Sequence, residues 1–220
     1  MSQRRLPVYL LLDTSGSMIG EPIEAVNVGL QTMLSALRTD PMALEAAYLS
    51  LVTFDSTVQE ILPLTPLDEV VLPPIECPKS GATMLGAALA RIEEKVAAEV
   101  RKTTPDQKGD WRPLLFLLTD GKASDSAAWQ RMIPRIKACG FSRIVACAAG
   151  PKADPDVLRA LTDDVVVLAT MHRSEFTRFF RLVSSTVTLG SRGPALLVGG
   201  TDQDEPEELP EPPEEINPFI

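Results

Sequence analysis

Val8-Tyr9-Leu10-Leu11-Leu12-Asp13-Thr14-Ser15-Gly16-Ser17 is the stretch that decides the fold. Five β-forming apolar residues run without alternation into an acid, a glycine and three hydroxyls. The same grammar returns a hundred residues later in Leu114-Leu115-Phe116-Leu117-Leu118-Thr119-Asp120-Gly121. Short continuous apolar runs are the mark of strands buried on both faces of a parallel sheet. Open parallel sheets bind ligands outside the carboxyl ends of their strands, where the strand order reverses. If the two strands are neighbours, two carboxylates and several hydroxyls meet in one crevice, an all-oxygen site suited to a hard divalent cation.

Working outward, strand and helix patterns alternate. Ile23, Val26, Leu30, Met33 or Leu34, and Leu37 recur at helical spacing, and Asp40-Pro41 ends that helix because the residue before proline resists the helical region. Residues 47–54 read as a buried strand and 57–62 as an antiparallel edge strand. Residues 63–80, with five prolines, read as irregular loop. Leu85, Leu89, Ile92, Val96 and Val100 mark a second amphipathic helix, and 102–111 a polar loop leading to the strand that ends at Asp120. A helix over 126–139 containing Pro134 as a kink point, a strand over 143–149, a short helix over 156–161 and a strand over 164–168 follow. Ser174 is expected to cap a last helix through Phe176, Phe179, Phe180, Val183 and Val187, stopped by Gly190. The alternation predicts an α/β fold: a doubly wound, mostly parallel sheet of Rossmann-like type with one antiparallel edge strand and helices on both faces.

At 220 residues the chain fits one full-sized domain, predicted over 1–190. The formal charge of −9 is concentrated in residues 201–220, which hold eight acids and no base, leaving about −1 for the body. No basic surface for nucleic acid is expected. Residues 191–220, rich in Pro, Gly and Glu, read as an acidic, disordered tail whose apolar end, Ile216-Asn217-Pro218-Phe219-Ile220, has the form of a docking peptide or of a mere solubilising terminus. Three cysteines without metal-ligand spacing fit reduced thiols. The apolar run before Asp13 is too short for a signal peptide or a membrane span, so a cytoplasmic location and no membrane partner are expected.

Other chemistries fit these residues less well. Asp13-Thr14-Ser15-Gly16 resembles the Asp-Thr-Gly-Ser of aspartic proteases, which have Gly where Ser15 stands, need a second matching aspartate and are β-rich. A haloacid-dehalogenase-like phosphatase also places an Asp after its first strand. It requires a second acid two residues on to protonate the leaving oxygen, where this chain has Ser15. No Gly-x-Ser-x-Gly elbow is present, and His172 is the only histidine. Asp55 and Asp125 belong to the same rim as Asp120, as contributors to the metal's waters or as turn and cap acids.

Asp13-x-Ser15-x-Ser17 after the first strand, Thr83 within Ser80-Gly81-Ala82-Thr83 before a helix, and Thr119-Asp120-Gly121 after the fourth strand together resemble the metal-ion-dependent adhesion site of von Willebrand factor A domains, over roughly residues 5–190. The resemblance implies a metal set of Asp13, Ser15, Ser17, Thr83 and Asp120. The serines would bind Mg²⁺ (or Mn²⁺) directly, Thr83 directly or through water, and the aspartates mostly through waters. A partner protein presenting Glu or Asp would complete the coordination, which makes the implied role protein binding and not catalysis. The runs 10–18, 81–86 and 116–121 are similar to the TerY-like proteins of bacterial tellurium-resistance operons, which implies a stress-response setting with kinase- or phosphatase-like partners. Lys122-Ala123-Ser124-Asp125 departs from the Pro-Thr-Asp common after Thr-Asp-Gly in that group, keeping only the final acid. A metal-dependent phosphohydrolase, and a switch in which the acidic tail supplies its own carboxylate to the site, are the alternatives.

Overall fold

The computed structural model describes residues 4–79 and 81–193. Six strands form one sheet: β1 (Leu6–Asp13), β2 (Ala47–Phe54), β3 (Val58–Pro66), β4 (Leu114–Thr119), β5 (Arg143–Ala149) and β6 (Val165–Leu168). Their spatial order is β3-β2-β1-β4-β5-β6, parallel throughout except for β3, which runs antiparallel to β2 at the edge. The α/β, mostly parallel architecture predicted from the alternation is therefore the one observed. Pro63 and Pro66 fall in β3, where an edge position tolerates a missing donor.

All eight residues of β1 are buried, and its side chains divide by parity. Leu6, Val8, Leu10 and Leu12 enter one core layer, with α1 (Glu21–Arg38) and α6 (Arg173–Ser191). Tyr9 and Leu11 enter the other, with α3 (Leu85–Glu99) and α4 (Ser126–Ala138). A strand with helices on both sides has no polar face to spare, which is why its sequence reads as an unbroken apolar run. Where α1 and α6 meet, a Cβ on Gly29 would lie 2.2 Å from the Phe180 ring, so the glycine admits the aromatic.

Several local expectations are corrected. Asp40 does end α1, but its Oδ1 also accepts from the Met42 and Ala43 amides and starts an unforeseen short helix, α2 (Pro41–Ala46). The proline-rich stretch after β3 is irregular yet not peripheral, since Leu67, Val70, Leu72 and Ile75 are buried in the α1 layer. The short fifth helix, α5, spans Pro155–Arg159. For α6 the cap position is His172 and not Ser174, which lies inside the first turn. Gly190 does not stop the helix, which runs on to Ser191; the positive-φ glycine past the end is Gly193. Helix α4 is a single helix across Pro134. The acidic tail reading, from residue 194 on, and Ser80 lie outside the described residues.

Candidate metal centre at the head of the sheet

The chain leaves β1 toward α1 on one face and leaves β4 toward α4 on the other, so the carboxyl ends of β1 and β4 open a crevice at the reversal point. Asp13 ends β1 and Asp120 follows β4; they are 1% and 2% exposed. Asp13 is fixed on both oxygens. Its Oδ1 accepts from the Ser15 amide at 2.8 Å, and its Oδ2 accepts from the Thr119 hydroxyl at 2.6 Å. Burial pushes the Asp13 carboxyl up to about 6; hydrogen bonds from Thr119 and Ser15 pull against this, and the charge of Asp120 adds to the rise.

The hydroxyls face the same space. Ser15 Oγ lies 3.3 Å from Ser17 Oγ and donates to Asp120 Oδ1 at 3.5 Å. Ser17 belongs to a one-turn 3₁₀ segment, Gly16–Met18, that Ser15 precedes in extended conformation. Thr83 arrives from the loop before α3 and is held by a two-way clasp, its amide donating to Ser124 Oγ at 3.0 Å and its carbonyl accepting from the Ser124 amide at 2.8 Å. A Cβ on Gly121 would stand 3.4 Å from Thr83 Oγ1, about van der Waals contact, which places Gly121 directly beside the Thr83 hydroxyl. Neither Gly16 nor Gly121 has a positive φ, so the special-dihedral reason for a glycine does not apply there.

The two rim acids make hydrogen bonds of the turn and cap kind. Asp55 Oδ1 accepts from the Ser56 hydroxyl and the Thr57 amide, both at 2.9 Å, and its Oδ2 from the Thr14 hydroxyl at 3.3 Å. Asp125 stands at the cap position of α4 but its carboxylate reaches across to α3, accepting from the Gly86 amide at 3.0 Å and the Ala87 amide at 2.9 Å. It thereby satisfies orphan donors of the helix that Thr83 precedes. His172 is exposed, and its ring lies 3.4 Å from the Glu21 carboxylate. Thr119 and Ser124, which hold Asp13 and Thr83, were not singled out from sequence. Thr119 sits inside the Thr-Asp-Gly signature, which was the signal available for it. Cys77, from the proline-rich stretch, also lies within the field of the site: burial and then the charges of Asp13, Asp120 and Asp55 push its thiol up to about 11.

Among the described residues, no ion pair involves Asp13 or Asp120, and no group of three or more His, Cys, Asp or Glu side chains is placed to hold an ion. Any cation held here must therefore draw on hydroxyls as well as carboxylates. Two buried acids without a base, beside small neutral oxygens, fit a hard divalent ion by charge and donor type. No helix among the described residues is long and apolar enough to cross a membrane.

No curated protein matches the chain. Among solved structures, proximal thread matrix protein 1 from the mussel byssus, with a zinc-occupied MIDAS motif, superimposes with a TM-score of 0.62 at 19% identity, over 83% of this chain and 48% of that one. A von Willebrand factor type A protein from Catenulispora acidiphila gives 0.61 at 16% identity, over 84% and 43%. The pilus adhesin SpaC from Lactobacillus rhamnosus GG gives 0.67 at 13%, over 85% and 31%. The chain thus spans less than half the length of these structures, and identities this low speak for the fold alone. A sequence model of the von Willebrand factor type A domain matches residues 8–186, most of the chain, and the protein belongs to that family.

Proposed function

We propose that the protein is a metal-dependent protein-binding module, not an enzyme. In this reading Asp13, Ser15, Ser17, Thr83 and Asp120 hold Mg²⁺ (or Mn²⁺) and a carboxylate of a partner completes the site. The observation that carries the reading is the pair of buried acids, Asp13 and Asp120, with the Ser15 hydroxyl 3.5 Å from Asp120 and 3.3 Å from Ser17 Oγ, and with no ion pair to either acid among the described residues. A bound divalent ion would supply the balancing positive charge and an electrophilic position for an anionic oxygen. The chain's own groups do the rest. Thr119 and the Ser15 amide orient Asp13, and the Ser124 clasp sets Thr83. Asp13, Ser15, Thr83 and Asp120 are buried, which strengthens a charge-assisted contact at the centre of a small interface, while Ser17 stands exposed at the opening. The loops 20–22, 55–57, 80–86 and 121–126 surround the opening and would contribute specificity. Ser15, where a phosphatase would need its acid, speaks against phosphoryl chemistry.

The resemblance of 10–18, 81–86 and 116–121 to TerY-like proteins supports a cytoplasmic role in a bacterial stress or tellurite-resistance system, with kinase- or phosphatase-like proteins as candidate partners. Two measurements test the core of the proposal. Mg²⁺ at about a hundred times its dissociation constant should stabilise the fold by ~2.7 kcal/mol, reversed by EDTA and absent in Ser15→Ala and Asp120→Asn. Capture of partners from the native cytosol should need Mg²⁺ and fail with Asp13→Ala. Capture indifferent to EDTA and to Asp13→Ala, or phosphoester turnover that Asp13→Ala abolishes, overturns the reading.

A further inference from the structure

The foot of the sheet, at the amino ends of the parallel strands, carries a second feature unrelated to the metal centre. Between the carboxyl ends of α3 and α4 and the start of β4 lies an open groove of about 510 Å³. Its apolar lining comes from Val96, Val100, Trp111 and Ala138, and the Arg4 guanidinium lies 3.8 Å over one face of the Trp111 ring. Its rim is basic. Lys102 is exposed and makes no ion pair among the described residues. Arg112 is exposed and donates only to the Gly140 and Phe141 carbonyls, at 3.0 and 2.8 Å. The carboxylates nearby are already balanced: Glu93 by Arg135 at 2.7 Å, and Asp110 by Arg5 at 2.6 Å. The groove therefore presents uncompensated positive charge over apolar surface. Of the two other grooves of comparable size, the one along α1 beside Leu72 and Pro74 has Glu24 and no base, so it would repel an acidic occupant, and the one at the start of β5 sets Lys137 and Arg143 against Asp163 and Asp164.

The same end of the molecule is where the described chain stops. Arg192, past the last turn of α6, pairs with Asp40 at 3.0 Å, and Asp40 sits at the foot between α1 and α2. Beyond it the sequence supplies the complement of the groove: eight acids without a base in 201–220, followed by Ile216, Phe219 and Ile220. A domain of this size has a radius of gyration of about 16 Å, and a dozen extended residues span about 40 Å, so the segment reaches any point on the foot. We propose that residues 201–220 of the same chain dock in this groove, the acids along the Lys102 and Arg112 rim and the apolar end over Trp111. This assigns the tail to the pole opposite the metal centre and stands independently of the metal reading.

Carbodiimide coupling of the full-length protein at high dilution tests it, because the reagent joins carboxylates to lysines in contact and the lysines are well distributed. Lys102 marks the groove; Lys79, Lys122 and Lys152 mark the head of the sheet. Peptide mapping of the monomer should find tail carboxylates joined mainly to Lys102. The yield should fall several-fold in 1 M salt, where the screening length is about 3 Å, and in Phe219→Ser/Ile220→Ser. That variant leaves the described fold untouched, so its effect reads docking and not stability. Arg112→Glu should lower the yield likewise. Links mainly to Lys79, Lys122 or Lys152 would mean the tail plugs the metal centre, and that overturns the proposal. So do links spread over all exposed lysines, or links found only in covalent dimers.

Discussion

Buried charge is handled in two different ways at the two sides of this sheet. Lys95, on α3, is 3% exposed and is met at 2.8 Å by Glu60 of β3 and at 2.7 Å by Glu99, which also accepts from the Tyr9 hydroxyl at 3.1 Å. Arg91 adds a further bridge to Glu60. Here every acid has its base within the chain, and the Lys95 and Arg91 partners hold the Glu60 carboxyl below its ordinary range. At the head of the sheet Asp13 and Asp120 are as deeply buried, but among the described residues only hydroxyls and amides attend them. A charge cluster that serves folding is closed on itself. One left open at a topological switch point is what the proposed metal reading rests on.

The comparison can be broken or sharpened by experiment. The largest effect should come from Lys95→Met, which takes the base from Glu99 while Arg91 still holds Glu60, and should lower stability by about 3 kcal/mol in urea titration; a loss under about 1 kcal/mol would mean the network is not closed as drawn. Next, pH acts on the open cluster. Asp13 has a folded value of about 6 against 3.8 ordinarily. Between these values the native state binds the extra proton, so its contribution to stability is complete below about pH 4 and is lost as pH rises through about 6. In chelator, wild type should therefore fall relative to Asp13→Asn by up to about 3 kcal/mol across that window. Saturating Mg²⁺ should cancel the fall, because the cation favours the ionised form.

Smaller effects test the scaffold around the site. A Cβ at Gly86 would come within 2.4 Å of the Trp129 backbone nitrogen, so Gly86→Ala should force α3 and α4 apart at a cost of about 2 kcal/mol, seen in thermal unfolding. Asp125→Ala should cost about 1 kcal/mol as a lost cap, while also weakening Mg²⁺ affinity through the Thr83 loop. Equal Mg²⁺ affinity in that variant would separate the cap from the site.

Much of this was legible in the sequence because parallel strands and amphipathic helices write themselves as periodicity. β1, β4 and β5 were readable as apolar runs, and Asp13 and Asp120 as acids at strand ends; Ser17 and Thr83 came into view only through the resemblance to the family's motif. What the sequence hid was governed by local partners or by tertiary contacts. Helix α2 is too short to show a period and rests on the two amides Asp40 caps. The burial of Leu67, Val70, Leu72 and Ile75 depends on α1 lying over them, which five prolines in the stretch disguise. Asp125 looked like a cap for its own helix, and only the proximity of α3 shows whose donors it satisfies.

The strand order carries one more consequence. Asp13 and Thr119 touch across 106 residues of sequence, because β4 slots beside β1 only after β2, β3 and α3 have been laid down on the other side. Contacts of such long range form late, after the entropy of closing the intervening chain has been met. A nascent or clipped chain ending near residue 110 would own four of the five donor side chains and still have no crevice. A divalent ion held there would report that β4 has taken its place beside β1.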